Sequence, residues 1–315
     1  MMGAYLGIDT SNYTTSIALV DENGKLIANL KKLLPVKEGE RGLRQSDAVF
    51  NHVKNIPELI ARAKEYFGEY KILGVGVSCR PRNQEGSYMP CFLVGEALAE
   101  GISASLGAPL YKLSHQCGHI MAAVFSSGCE NILKEKFAAL HISGGTTELV
   151  RVEYINGAFS AELVGETADL NAGQVIDRIG VMLGLSFPAG RELEKLAVMN
   201  EKKIPKRKIV CRDMKINFSG LENMAAELYR ATSDKSLVAA FVFECIGNAI
   251  SDMCDQYVEK YSSDEFVFAG GVMSNKIIRA KLESRFRAHF AEPEFSADNA
   301  VGIADIARRT NLKEK

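Results

Sequence analysis

Two of the chain's five histidines, His115 and His119, stand four residues apart in SHQCGH. On a helix, positions i and i+4 share one face at about 6 Å, a separation that lets two imidazoles hold one metal ion. The HEXXH motif of zinc proteases has that spacing, but Gln116 stands where its general-base glutamate belongs. Taken alone, the pair also fits an ordinary helix face. A third donor would strengthen the metal reading, and Asp298 in FSADNAVGIA (295–304) offers one, in a turn that reads as a helix start.

Two glycine pairs suggest a different chemistry. HISGGTTE (141–148) places Ser143, Gly144, Gly145 and Thr146 between two strand-like runs. Glycines there let backbone N–H groups approach an anion, and the hydroxyls add donors; a Gly-Gly hairpin turn explains the same residues. FVFAGGVMSN (266–275) reads as a strand, then Gly270–Gly271, then a helix start capped by Ser274 or Asn275. A helix N-terminus beside a close-approach backbone suits a phosphate or ribose, although a plain strand-to-helix turn has the same composition. Asp177 lies in the otherwise apolar helix GQVIDRIGVM and needs a partner, either a ligand hydroxyl or Arg178 or Arg191. Pro188-Ala189-Gly190 then precede a further helix.

The elements that must position these residues repeat. The first 30 residues read strand, turn, strand, Asn23–Gly24 turn, strand. Residues 138–164 follow the same plan, with Thr146–Thr147 and Asn156–Gly157 matching Thr14–Thr15 and Asn23–Gly24 at a period of about 132 residues. That period indicates duplication of a whole domain, not a solenoid. Helical periodicity follows each opening: SDAVFNHVKNIPELIARAKEYF, with an internal proline, and FLVGEALAEGISASLG in the first half; AGQVIDRIGVMLGL, SGLENMAAELYRA, the long run from Asp234 to Tyr261 and SNKIIRAKLESRF in the second. ILGVGVS, APLYKL and FVFAGG read as strands. The second glycine site in a duplicated α/β chain favours nucleotide. Antiparallel opening hairpins, and the lack of GxGxxG after the first strand, exclude a doubly wound dinucleotide fold.

Composition bounds the rest. The chain has 315 residues, 47% hydrophobic and 24% charged, and a net charge of -1, so no global field draws it to nucleic acid. KKIPKRK (202–208) is a local basic run that a solvated loop before a strand also explains. Seven scattered cysteines without a CxxC pair argue against a disulfide framework and a cysteine zinc site. The first residues lack the order of a signal peptide, and no apolar run approaches the ~20 residues that cross a bilayer, so a cytoplasmic location and no membrane partner are expected.

In order along the chain, LGIDTS, HxxxH at 115–119, ISGGTTE, GQVIDRIGVMLGLSFPAG, FSGL at 218–221, AGGVMSN and ADNAVGIA resemble the TsaD-type tRNA threonylcarbamoyladenosine transferases. This glycoprotease-like family is also known as the O-sialoglycoprotein endopeptidases, and the likeness spans nearly the whole chain. It implies an α/β fold of two RNase H-like domains, of the actin/hexokinase/heat-shock-protein type, with an inter-domain nucleotide cleft. The expected division is 1–113 for the N-terminal domain, joined by a C-terminal helix over 297–315, and 114–296 for the other. The resemblance further implies that His115, His119 and Asp298 bind one divalent iron or zinc ion. Ile142 to Thr146, Asp177, Gly190, Gly270, Gly271 and Asn275 would contact an AMP-based acyl-adenylate or ATP, with catalytic roles for Asp9 and Ser11. The implied reaction is transfer of threonylcarbamoyl from its AMP mixed anhydride to N6 of adenosine 37 in tRNA, in a hetero-oligomer with other threonylcarbamoyladenosine-synthesis proteins.

The chain also departs from that pattern. Tyr13 and Thr14 in DTSNYTT replace an acidic pair, Thr146 replaces a histidine, Glu222 follows FSGL where lysine is common, and CRPRNQEGSYMPC (79–91) replaces a shorter GPGL-type loop. Two alternatives follow for a diverged paralogue: a carbamoyl or acyl transferase whose acceptor is set by the Arg80–Arg82 loop, or a non-catalytic partner of an active homologue. Protease chemistry is disfavoured, because there is no nucleophile–base pair and no HEXXH.

Overall fold

The computed structural model describes residues 2–11, 13–35, 43–155 and 158–314. In chain order the elements are β1 (Met2–Thr10), β2 (Thr14–Asp21), β3 (Leu26–Leu33), α1 (Gln45–Phe67), β4 (Tyr70–Arg80), α2 (Phe92–Leu106), β5 (Leu110–Ser114), α3 (His115–Ser127), β6 (Phe137–Ile142), β7 (Thr147–Ile155), β8 (Ala158–Thr167), α4 (Ala172–Met182) and α5 (Gly190–Val198). There follow β9 (Cys211–Arg212), β10 (Lys215–Ile216), α6 (Ser219–Thr232), α7 (Lys235–Tyr261), β11 (Glu265–Ala269), α8 (Lys276–Glu283), β12 (Arg287–Phe290), α9 (Pro293–Ser296) and α10 (Val301–Glu314). They form two compact units. The first takes in Met1–Asn131, Glu153–Ala161 and Glu294–Lys315, and the second Ile132–Val152 and Glu162–Pro293.

The first unit is built on a five-stranded sheet in the order β3-β2-β1-β4-β5. β1 pairs antiparallel with β2, and β2 with β3, while β4 joins β1 in parallel and β5 joins β4. β1 and β2 are buried on both faces, and alternation assigns each face a partner. Ile17 and Leu19 of β2 cluster with Leu59 and Ala63 of α1 and Ala99 of α2. Ala18 and Val20, pointing the other way, cluster with Ala122 of α3 and Val301 and Ala304 of α10. α3 and α10 therefore lie together on one face of the sheet. α1 continues through Pro57, which removes one helical donor without ending the helix.

In the second unit a seven-stranded sheet runs β12-β11-β6-β7-β8-β10-β9. Around its first strand, β6, the order β8-β7-β6-β11-β12 repeats β3-β2-β1-β4-β5, with β6–β7 antiparallel and β6–β11 and β11–β12 parallel. The fold is thus a duplicated RNase H-like one. Its core gathers Leu140, Val175, Ile179, Phe241, Ile250, Phe266 and Phe268.

Several elements differ from expectation. β9, β10 and β12 are too short to leave a period-2 pattern, and α8 ends at Glu283 instead of running on to Phe286. The Asn156–Gly157 turn lies outside the described residues. Contrary to the expectation that no run is long enough, α7 has 27 residues and the length and apolar character of a membrane span, yet 83% of that window is buried within the fold. All seven cysteines are free thiols.

Candidate metal centre and glycine turns

β5 ends at Ser114, whose hydroxyl accepts a hydrogen bond from the Cys117 amide at 3.3 Å and so starts α3 at His115. One helical turn then brings His119 beside His115, with their Nε2 atoms 2.9 Å apart. The third donor comes from the far end of the chain. Asn299 holds the turn before α10, accepting from the Val301 amide at 3.1 Å and donating to the carbonyls of Phe295 and Ala297. That turn places Asp298 Oδ1 3.3 Å from His119 Nε2 and 3.5 Å from His115 Nε2. The three donor atoms lie within 4.8 Å of one another.

This convergence depends on one close helix crossing. A Cβ on Gly302 of α10 would lie 2.0 Å from the Gly118 carbonyl oxygen and 2.6 Å from the Ala122 nitrogen, both backbone atoms of α3. Only glycine lets the helix bearing the histidines and the helix following Asp298 come so near.

Behind the cluster stands Asp9, fully buried at the end of β1. Its Oδ1 lies 3.2 Å from His115 Nδ1 and accepts from the Ser78 hydroxyl, while its Oδ2 is buried without a hydrogen bond. A carboxylate on the second ring nitrogen fixes the ring and aims Nε2 at the cluster. Burial works to lower the His115 pKa, but Asp9 and Asp298 overcome it and push it up to about 10. Burial works to raise that of Asp298, yet hydrogen bonds from His115 and His119 hold it well below the usual carboxylate range. Two carboxylates thus favour positive charge at one point. Two imidazoles and one carboxylate, with side-chain exposures of 20%, 11% and 22%, form a donor set that fits zinc or ferrous iron and leaves room for a further ligand.

A neighbouring network escaped the sequence reading. Fully buried His52 of α1 has Nδ1 2.8 Å from the Thr15 hydroxyl, which also accepts from Asn55 Nδ2 at 3.1 Å. Among the described residues, the hydroxyl of buried Ser11 has no hydrogen-bond partner. Burial lowers the His52 pKa against the pull of the Ser11 backbone and of Asp9 and Asp298. The available signal was positional: His52 and Asn55 occupy the stripe Ala48, His52, Asn55, Leu59, Ala63, the buried face of α1.

The second unit holds the glycine motifs. Ser143 to Thr146 form the β6–β7 turn, where Gly144 and Gly145 are exposed and open. Ser143 Oγ already accepts from the amides of Gly145 and Thr146, at 3.2 and 3.1 Å, so these two donors serve the turn and are not held ready for an anion. Gly270 has φ +98°, and a Cβ there would lie 2.3 Å from the Ile142 carbonyl oxygen, so this glycine joins the end of β11 to the end of β6. Gly271 begins a short 3-10 turn that leads to Asn275. Asn275 is the cap of α8, accepting from Ile277 and Ile278 at 3.1 and 3.0 Å, and Glu194 accepts from Lys276. These side chains, not an open row of amides, finish that helix start.

Asp177 pairs with neither arginine. It accepts from the Ala189 amide at 2.8 Å, just before Gly190 opens α5, and burial raises its pKa; Arg178 pairs instead with Glu222. The FSGL stretch is pinned by Asp169, which accepts from the amides of Phe218 and Ser219 at 2.7 and 3.0 Å. The structure thus brings Ile142, the 143–146 turn and Gly270 together at the carboxyl ends of β6 and β11, where open α/β sheets commonly bind ligands.

The Cys79–Cys91 loop is fastened to the start of α3. Pro81 carbonyl accepts from the Gln116 amide at 3.0 Å, and Asn83 Nδ2 contacts Cys117 Sγ at 3.1 Å. Arg80, at the end of β4, and Arg82, on the loop that follows, therefore stand beside the start of the histidine helix.

Among solved structures, the chain is similar to component A of (R)-2-hydroxyglutaryl-CoA dehydratase from Acidaminococcus fermentans, at 18% identity and TM-score 0.55, covering 98% of this chain and 99% of that one. It is similar to HypF from T. kodakarensis at 13% identity and TM-score 0.65, covering 99% of this chain but 48% of that one. A ROK family glucokinase from Streptomyces griseus, in complex with glucose and AMPPNP, matches at 14% identity and TM-score 0.53, covering 98% and 100%. These likenesses concern the fold. The sequence itself matches the model of the TsaD family, tRNA N6-adenosine threonylcarbamoyltransferase, over residues 35–305, and the chain belongs to that transferase family.

Proposed function

We propose that this chain transfers a threonylcarbamoyl group from threonylcarbamoyl-AMP to N6 of adenosine 37 in tRNA, in a reducing cytoplasm and with partner proteins of the same synthesis. In the reaction the N6 nitrogen forms a bond to the carbamoyl carbon. The carbon–oxygen bond of the mixed anhydride breaks, AMP leaves with the electron pair, and the amine proton passes to solvent. The observation that carries the reading is the convergence of His115, His119 and Asp298, drawn from two segments about 180 residues apart, on one point backed by buried Asp9.

Those three residues would hold the divalent ion. When bound, such an ion supplies Lewis-acid polarisation of a carbonyl or phosphoryl oxygen. Asp9 takes the hydrogen of His115 Nδ1 and keeps Nε2 free to coordinate, so in this reading it is a positioning residue and does not touch substrate. Ser78 fixes Asp9 in turn. Ser11 is buried next along the chain and, among the described residues, its hydroxyl has no partner, so it is available to meet a ligand. In the second unit, the exposed Gly144–Gly145 turn admits the adenylate close to the backbone, with Asp177, Gly190, Gly270, Gly271 and Asn275 shaping its surroundings.

The test is incubation of the purified chain and its partner proteins with the adenylate-forming enzyme, threonine, bicarbonate, ATP and unmodified tRNA. Digestion and mass spectrometry should show N6-threonylcarbamoyladenosine. Its absence under these conditions overturns the assignment. One observation favours a second reading, a different acyl acceptor: the arginine-bearing loop fixed on α3 at Gln116 and Cys117, together with Tyr13 and Thr14 in place of an acidic pair, suits an anionic acceptor. Carbamoylation of a small anionic acceptor in place of tRNA, in the same mixture, would select it.

A further inference from the structure

The basic run between Glu201 and Lys215 is unlike the rest of a chain whose net charge is -1: seven basic side chains stand against two acidic ones. Lys202, Lys203, Lys206, Arg207, Lys208, Arg212 and Lys215 are all exposed. Three are paired, Lys202 with Asp234, Lys208 with Asp252 and Lys215 with Glu166. Among the described residues Lys203, Lys206, Arg207 and Arg212 have no ion pair.

A solvated loop would account for the charge but not for how the strip is held. Ile209, Met214 and Ile216 are buried and point into the core of the second unit. Gln256 of α7 clamps the backbone from both sides, donating to the Cys211 carbonyl at 3.0 Å and accepting from the Met214 amide at 2.9 Å. Asp213 and Met214 form a tight turn at φ 51° and 57°. The apolar residues face inward, so the cations are displayed outward from a backbone that Gln256 holds at Cys211 and Met214. Beside them opens a cavity of about 650 Å³, with Lys208, Arg212 and Lys215 at its edge, Ile209 and Met224 on its apolar side, and Asn217 as a neutral polar group.

We infer that this strip is a docking surface for the sugar–phosphate backbone of tRNA; the inference rests on tRNA being the acceptor, as proposed above. Exposed unpaired Lys and Arg in a fixed row are what phosphates require, since each contact releases condensed counterions. An anionic membrane is the poorer occupant. A membrane-surface element presents aromatic and aliphatic side chains on an amphipathic helix, whereas this segment is not helical, has no aromatic residue and exposes only Val210 among its large apolar side chains.

The test compares the full chain with a Lys206→Ala/Arg207→Ala/Arg212→Ala variant and with Arg62→Ala/Lys64→Ala/Lys71→Ala, which removes the same charge from exposed positions of the first unit. Binding of unmodified tRNA is measured by filter retention between about 50 and 200 mM salt, the range over which phosphate contacts register most strongly. The strip variant should lose roughly two to three units of the slope of log K against log salt, and at least about tenfold in affinity. The control variant should keep the wild-type slope. An unchanged slope in the strip variant, with wild type binding normally, overturns the surface and leaves the acceptor assignment standing. Failure of wild type to bind tRNA when its partner proteins are also present overturns both. Loss of binding to phosphatidylserine vesicles with tRNA binding unchanged assigns the strip to lipid and rejects the inference.

Discussion

Replacing Gly302 with alanine tests the link between helix packing and the candidate metal centre. The new methyl group would lie 2.0 Å from the Gly118 carbonyl oxygen, against the 3.4 Å at which ordinary contact begins. The difference, about 1.4 Å, must come from α10 moving off α3, because the obstructing atoms are backbone and cannot rotate away. Overpacking of this kind costs roughly 1–3 kcal/mol. The effect on the site is sharper, since metal–ligand distances hold to about 0.2 Å and Asp298 lies just ahead of α10 while both histidines lie on α3. The variant should melt several degrees lower in chelator and bind zinc at least tenfold more weakly, read by competition with a chromophoric chelator. Gly101→Ala is the control. Gly101 lies within α2 with no atom within 4 Å of an added Cβ, so this change should raise stability by up to about 1 kcal/mol and leave zinc affinity unchanged. A Gly302→Ala protein with wild-type zinc affinity and an unchanged melting temperature in chelator would show that this crossing does not hold the donors together.

Three further outcomes are expected. For the wild type, zinc at a hundred times its Kd should add about 2.7 kcal/mol of apparent stability, and His119→Ala should abolish that increment; melting with zinc and with chelator checks it. Asp9→Asn should weaken zinc binding by about 10–100-fold, the usual cost of losing an outer partner of a metal-bound histidine, and equal affinity by chelator competition would refute the positioning role. Asp169 is held below its ordinary pKa: burial works to raise it, and hydrogen bonds from Ser219, Leu170 and Phe218 prevail. A depressed carboxyl contributes stability that is present above the unfolded value and lost as pH falls through the folded one. The gap in urea midpoint between wild type and Asp169→Asn should therefore stay constant from neutral pH to about 5 and close below about pH 4; a gap that widens on acidification would refute it.

The parts of the fold legible in the sequence are those governed by near neighbours. The period of α1, α2 and α4, the Asn23–Gly24 turn and the Gly-Gly motifs are local patterns, and each element appears within a few residues of its expected place. The histidine pair was legible because helical spacing needs only four residues of sequence. What lay beyond reading were contacts made by tertiary structure. Asp9 meets His115 across 106 positions, and no pattern near either residue announces it. Ser143 and Asn275 could be read either as parts of a turn and a cap or as groups facing a ligand, and each does satisfy its own turn or helix. A capping side chain and a ligand-binding one have the same composition, so sequence cannot divide the two roles. The two-residue strands β9 and β10 failed for a simpler reason: they are shorter than any period.

The first unit is discontinuous, its last segment beginning at Glu294. A ribosome making this chain releases both histidines long before Asp298, and β1, β2 and β4 must wait for α10 to cover one of their faces. In the proposed reading, capture of an ion by all three donors is therefore a late event in the life of the polypeptide, available only after the whole of the second unit has been made. A chain cut short anywhere in the second unit would carry HxxxH without its carboxylate. Tight metal uptake would then distinguish finished molecules from truncated ones, a form of quality control that follows from the order of the chain alone.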